Sequence, residues 1–122
     1  MDANRQEQNF VRDDVRRTLL KVHLLWRLGK SSANPYSLVK EFGGDQLIYS
    51  FFRSKRELRD DVYNAIRSLE KAKLVTSVPK EENGRLKQYY SVTKEGEKVL
   101  NSSIVEFIKG SAAISSLFRR KR

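Results

Sequence analysis

The stretch that decides the fold runs from residue 54 to residue 98 and reads SKRELRDDVYNAIRSLEKAKLVTSVPKEENGRLKQYYSVTKEGEK. It opens with a Ser-x-x-Glu pair, Ser54 and Glu57, which is the capping box that starts a helix. Apolar residues then recur at helical spacing as far as Lys73. The predicted buried stripe of this helix is Leu58, Val62, Ala65, Ile66, Leu69 and Ala72.

A β-hairpin is predicted directly after this helix. Residues 74–78 and 86–93 have the composition of strands, and the polar segment between them contains Asn83-Gly84. Asn-Gly between two such runs is the strongest short-range signal for a hairpin turn. Thr93 then follows as the N-cap of another helix.

The elements before residue 54 are predicted from similar local signals. Residues 1–9 are expected to form a loose polar arm, and a first helix is expected over residues 10–28. Asn34-Pro35 combines an N-cap residue with proline at the first helical position, which predicts a second helix up to Gly43. Residues 46–53 are short and rich in β-prone side chains, so we expect a short strand there, the alternative being a distorted turn that leads into the next helix.

The last helix and the first helix both carry more apolar surface than one small domain is expected to cover. The last helix is predicted over residues 95–118, with a basic tail at 119–122. The first helix has a second apolar face opposite its Val15-Leu19-Trp26 stripe. We therefore expect a two-fold homodimer, the alternative being a last helix that folds back over its own domain. Its predicted contact residues are Leu20, Leu24, Leu28, Leu100, Ile104, Phe107, Ile114 and Phe118.

The order helix, helix, strand, helix, strand, strand, long helix is that of a winged helix-turn-helix. The predicted fold class is α+β and mostly helical, with a small three-stranded sheet packed on a three-helix core and a long C-terminal helix. Residues 10–94 would form the winged-helix domain, and residues 79–87 its wing.

Several segments resemble PadR-type winged-helix transcriptional regulators. DVYNAIRSLEK (61–71) resembles the recognition helix of that family, and KLV (73–75) resembles the exit into its wing. QYYSVTKEG (88–96) is similar to its wing strand, and PYSL (35–38) is similar to the start of its second helix. The resemblance covers about residues 15–110. MarR-like and other archaeal or bacterial winged helices share the leucine pattern and the Thr-x-x-Gly ending.

The composition favours a polyanionic partner and disfavours an enzyme. The formal net charge of +10 is typical of proteins that bind nucleic acid or an anionic membrane. The chain has no cysteine and one histidine, His23, so a typical zinc site is excluded and no cofactor is expected. No signal peptide, membrane span, Walker-type loop or dinucleotide fingerprint is visible. We expect a cytoplasmic, nucleoid-associated protein.

The outer face of the helix that begins at Ser54 carries side chains suited to a DNA groove. Arginine pairs with guanine and asparagine with adenine, while lysine and tyrosine hold phosphate. The predicted DNA-binding residues are Lys55, Arg56, Arg59, Tyr63, Asn64, Arg67, Lys71, Lys80, Arg85 and Lys87. The alternative is an ordinary solvated face, and Asp60 and Asp61 favour it because acids repel phosphate.

The predicted function is sequence-specific binding of double-stranded DNA by a homodimeric transcriptional regulator, expected to be a repressor. One alternative is an architectural or segregation protein that coats DNA with little sequence choice. Another is a winged helix used as a protein–protein module. An effector is unknown, and the aromatic residues Trp26, Tyr49, Phe51 and Phe52 are interpreted as core rather than as the lining of an effector pocket.

Overall fold

The chain forms a helical domain with one β-hairpin. The computed structural model describes the backbone of residues 2–120 and the side chains of residues 12–106 and 108–110. The elements over this backbone, in chain order, are α1 (Asp2–Lys30), α2 (Pro35–Gly43), α3 (Gln46–Tyr49), α4 (Lys55–Lys71), β1 (Val75–Glu82), β2 (Arg85–Val92) and α5 (Lys94–Arg120).

Helix α1 is longer than the sequence suggested. It begins at Asp2, so the prediction of a loose arm at residues 1–9 is wrong for residues 2–9. This segment contains neither glycine nor proline, and nothing in it interrupts a helix. Helix α5 is likewise continuous through Gly110, which does not divide it.

The predicted strand at residues 46–53 is wrong, and the sheet has two strands instead of three. Asp45 caps a short helix there, since its Oδ1 accepts hydrogen bonds from the backbone N–H groups of Leu47 and Ile48 at 3.0 and 3.1 Å. A local cap therefore outweighs the β-prone composition of the segment. The backbone of Ala33 instead forms a single antiparallel bridge to Tyr90 at the edge of β2.

Helix α4 begins and ends with specific capping interactions. Ser54 Oγ accepts a hydrogen bond from the N–H of Glu57 at 3.1 Å, which confirms the predicted N-cap. At the other end Lys73 takes a left-handed conformation with φ of 63°. The N–H of Leu74 then reaches back to the carbonyl of Leu69 at 2.9 Å, as in a Schellman motif. These bonds stop the helix and turn the chain into β1.

Strands β1 and β2 pair antiparallel from Val75–Val92 out to Glu82–Arg85. The two-residue turn between them has φ of 52° at Asn83 and 77° at Gly84, which matches the type I′ turn that Asn-Gly favours. The predicted hairpin is thus confirmed. Strand β1 extends four residues further than expected and β2 begins one residue earlier, so the wing is a ribbon rather than a loop.

One hydrophobic core joins α1, α2, α4 and the start of β1. Its largest fully buried side chains include Phe42 of α2, Leu24 of α1 and Leu58 of α4. Ala72, predicted to be buried, is exposed because it is the C-cap residue of α4. The other residues of the predicted α4 stripe are buried, as expected: Leu58, Val62, Ala65, Ile66 and Leu69.

Three leucines of α1 were assigned to a dimer contact, and this assignment is wrong. Leu20, Leu24 and Leu28 are 4%, 0% and 2% exposed and belong to the core of their own chain. The opposite stripe of α1 faces outward instead, with Val15 and Leu19 exposed. The helix has two apolar faces, and the one that carries the leucines belongs to the same core as the buried side chains of α2 and α4.

Candidate nucleic-acid interface

The outer face of α4 carries a row of exposed polar and basic side chains. At 100° per residue, Arg56, Tyr63 and Arg67 lie on the side opposite the buried Leu58 and Leu69. The predicted members of this face are exposed or, for Tyr63, half-buried: Lys55, Arg56, Arg59, Tyr63, Asn64, Arg67 and Lys71. The structure therefore brings these seven predicted site residues together on one helix.

A shallow depression lies in the middle of this face. It is lined by Arg59, Asp60, Tyr63, Asn64 and Arg67. The guanidinium of Arg67 donates a hydrogen bond to the side-chain oxygen of Asn64. This bond orients two groups that are suited to base edges, an arginine fork and an amide.

The two adjacent aspartates of α4 have different surroundings. Asp60 is exposed on the outer face, with its Oδ1 3.5 Å from Arg59 Nε. The Asp61 side chain is only 11% exposed and accepts a hydrogen bond from Arg16 Nε of α1 at 2.9 Å. Asp61 therefore belongs to the contact between α1 and α4, and only Asp60 counts against the DNA hypothesis.

Arg16 is a buried residue that the sequence reasoning missed. It is 4% exposed and contacts Asp13, Glu57 and Asp61. Burial raises the pKa of Asp13, but the hydrogen bond and charge of Arg16 outweigh it and hold that pKa below its usual 3.8. The sequence does contain a signal for this burial, because Arg16 lies one helical turn before Leu20, on the stripe of α1 that forms the core.

The wing carries its three predicted basic residues, each in a different setting. Lys80 Nζ lies 4.9 Å from the centre of the Tyr89 ring. Lys87 Nζ is 3.7 Å from a carboxylate oxygen of Glu82. Arg85 is exposed beside the turn. Lys80 and Lys87 lie directly opposite each other in the ladder. The Tyr89 ring beside Lys80 and the Glu82 carboxylate beside Lys87 offset the repulsion between the two like charges.

An apolar groove lies between α1, α3 and α5, away from the charged residues of the wing. Its volume is about 500 Å³, and its walls include Leu19, Trp26, Phe51, Phe52 and Ile104. Trp26 and Phe51 are 44% and 45% exposed, so their interpretation as core residues is wrong. Phe52 does belong to the core, and Tyr49 packs against it.

His23 lies in this groove, and we expect it to make stability depend on pH. Burial lowers its pKa below 6.5, against the charges of Asp45 and Glu41, which raise it. The unfolded chain then binds a proton more readily, so stability is full above about pH 6.5 and falls as the pH drops through the folded pKa. His23→Gln should remove this loss, as measured by thermal midpoints between about pH 7.5 and 5.5.

No other histidine can contribute to the pH dependence in this interval, because His23 is the only histidine in the sequence. If His23→Gln loses as much stability as the parent over the same pH interval, the effect comes from carboxylates and the assignment to His23 is wrong.

Apolar side chains of α5 are exposed beyond its first two turns. Ile104, Val105 and Ile108 are 40%, 47% and 60% exposed, while Leu100 packs against the core. Ile104 also lines the apolar groove together with Leu19 of α1. The other predicted dimer residues of α5, Phe107, Ile114 and Phe118, and the side chains of residues 119–122 lie outside the described residues.

Neither a cluster of metal-ligating side chains nor a candidate membrane span is found among the described residues. No group of three or more histidine, aspartate and glutamate side chains is placed to hold a metal ion within that part of the chain. None of its helices is both long enough and apolar enough to cross a membrane.

Comparison with solved structures identifies the fold. A PadR family transcriptional regulator from Eggerthella lenta DSM 2243 superposes with a TM-score of 0.70 at 21% identity, covering 97% of each chain. A transcriptional regulator from Clostridium thermocellum gives 0.69 at 22% identity, covering 84% of this chain and 93% of that one.

A PadR-like transcriptional regulator from Bacillus cereus gives 0.64 at 19% identity, covering 83% and 92%. No protein-family model matches the chain, and no curated protein matches it. At these identities the likeness is one of fold. The resemblance seen in the sequence is confirmed at that level: the chain has the winged-helix fold of the PadR-type regulators.

Proposed function

We propose that this chain is a homodimeric transcriptional regulator that binds a specific double-stranded DNA sequence and acts as a repressor on the nucleoid. The observation that carries the proposal is the outer face of α4, where Arg67 and Asn64 stand side by side and exposed. The acidic neighbour Asp61 is turned inward onto Arg16. Helix α4 would enter the major groove and read base edges with this pair.

The wing and the start of α4 would hold the backbone of the DNA. Lys55 and Arg56 flank the N-terminus of α4, where free N–H groups also favour phosphate. Lys80, Arg85 and Lys87 would reach flanking phosphates or the minor groove. The net charge of +10 would add a long-range attraction that draws the protein to DNA.

A second copy would complete the regulator. The exposed Ile104, Val105 and Ile108 of α5 and the exposed Val15 and Leu19 of α1 form apolar surface that one chain leaves uncovered. Covering it with the same surface of a second copy gives a two-fold dimer. Two α4 helices about one turn of DNA apart would then read a pseudo-palindrome.

The direct test is DNA binding by the full chain over a salt series. Binding to a duplex selected from a random pool should weaken by about a thousandfold between roughly 50 and 200 mM salt, since several phosphates are neutralised. Lys98→Ala removes one positive charge on α5, outside α4 and the wing, and should leave the salt slope unchanged. A chain that shows no salt-sensitive binding to any duplex is not a DNA-binding protein.

Footprinting and sedimentation separate the remaining alternatives. A regulator protects a discrete site with two half-sites and sediments as a dimer. Protection that spreads along the DNA without a preferred site would instead establish an architectural or segregation role. DNA affinity that vanishes at physiological salt would favour a protein–protein module.

A further inference from the structure

Arg16 is the one charged side chain that is buried among residues 12–106 and 108–110. Its guanidinium carbon lies 5.7 Å from the centre of the Phe52 ring, against the edge of the core. A buried charge is costly unless it is fully paired, so a single arginine on a leucine stripe requires an explanation.

The partners of Arg16 explain its place. Its Nη1 is 2.6 Å from Asp13 Oδ1 on α1 and 3.5 Å from Glu57 Oε1 on α4. Its Nε is 2.9 Å from Asp61 Oδ2, one turn further along α4. The planar guanidinium thus connects α1 to two successive turns of α4 in fixed directions, which a point charge could not do.

Glu57 also ties this link to the start of α4. Its Oε1 accepts a hydrogen bond from the backbone N–H of Arg53 at 3.0 Å, just before the helix. The exposed side chain of Arg53 adds weaker contacts to Asp13 and Glu57, at 3.6 and 3.9 Å. Among the described residues Arg53 makes no ion pair with Asp61, which pairs with Arg16 instead.

We propose that Arg16 is the positioning residue for α4 on DNA. An apolar stripe alone lets a helix rotate or slide slightly against its neighbours, whereas base contacts tolerate errors of only about 10–20°. The fork of Arg16 holds Glu57 and Asp61 in one orientation relative to α1 and thereby aims Asn64 and Arg67. Asp61 is an internal counterion and not a group that meets the DNA. The inference rests on the proposed DNA-binding function.

The adjacent residues Asp60 and Asp61 provide a test, because their substitution should change the affinity for the selected duplex in opposite directions. The probes are the tightest duplex selected from a random pool by the parent protein and a scrambled duplex of equal length and composition. Asp60→Asn removes a negative charge from the exposed face and should tighten binding to both duplexes. Asp61→Asn removes the same charge but frees α4, so we expect about a tenfold loss on the selected duplex, the size of one misplaced base contact. Its affinity for the scrambled duplex should not fall.

The ratio of the two affinities separates positioning from simple loss of stability. Partial unfolding weakens binding to both duplexes equally and leaves the ratio unchanged, whereas a misaimed helix lowers it. Arg16→Lys keeps the charge but loses the fork, and it should lower the ratio in the same way. It also decides the question if Asp61→Asn does not fold.

Three outcomes would overturn the proposal, and the third is distinguishable from the first two. If Asp61→Asn tightens binding as Asp60→Asn does, or if Arg16→Lys keeps the parent ratio, α4 does not depend on Arg16. If the parent protein binds no duplex in a salt-sensitive way, the proposed function fails and the positioning role fails with it.

Discussion

A Gly96→Ala variant is expected to be destabilised by about 3 kcal/mol, the upper end for overpacking in a close-packed region. A Cβ at this position would collide with the backbone carbonyl oxygen of Leu74 and lie 2.6 Å from Cγ2 of Val92. The Leu74 carbonyl cannot shift away freely, because it accepts a hydrogen bond from the N–H of Thr93 at 3.0 Å. Urea denaturation measures the change in the free energy of unfolding.

Gly110 is the matched control, because it lies in the same helix and no atom of the described side chains lies within 4 Å of the position of an added Cβ. Gly110→Ala should stabilise α5 by up to about 1 kcal/mol through helix propensity alone. If both variants unfold at the parent's urea midpoint, the close approach of α5 to Leu74, just before β1, is not as the structure has it.

An Arg67→Ala variant is expected to lose about 1–3 kcal/mol of binding free energy on the selected duplex and to relax preference at one base pair. Arg67 is exposed in the middle of the outer face of α4 and hydrogen-bonded to Asn64. From this position its guanidinium can reach a base edge. Binding to a library that varies each base pair of the selected duplex measures both effects.

Lys71→Ala is the control, since it removes one exposed positive charge one turn further along the same face. It should weaken binding to all sequences alike and lower the salt slope by about 1, as a phosphate contact does. If Arg67→Ala also weakens all sequences alike, Arg67 holds phosphate and the base reader lies elsewhere on α4.

The charge of the outer face of α4 depends on which of its two aspartates is exposed. Its sequence places two acids, Asp60 and Asp61, among the residues proposed to meet DNA. In the structure Asp61 neutralises Arg16, and Asp60 alone is presented outward. The exposed face is therefore more positive than the sequence implies, which supports a groove-binding role for it.

Much of the fold was predictable from local sequence, because caps and turns depend on neighbouring residues. Ser54 with Glu57, Asn34 with Pro35, and Thr93 each start a helix in the structure where the sequence predicted one. Asn83-Gly84 likewise forms the predicted turn. The outer face of α4 followed from the same helical periodicity, so its basic residues could be named in advance.

The face that α1 buries was decided by the tertiary structure. The helix carries two apolar stripes, and periodicity separates the stripes without saying which one meets the core. The common core takes up Leu20, Leu24 and Leu28, and so leaves Val15 and Trp26 exposed. The predicted dimer contact on α1 was wrong for this reason.

Sequence by itself determined the local elements of this protein: where its helices are capped, where the hairpin turns, and which side of α4 is polar. Only the tertiary structure decided how Asp61 and Arg16 are used and which apolar face of α1 is buried. The physical reason is that caps and turns are made by residues a few positions apart. A buried ion pair across 45 positions depends on how whole helices pack.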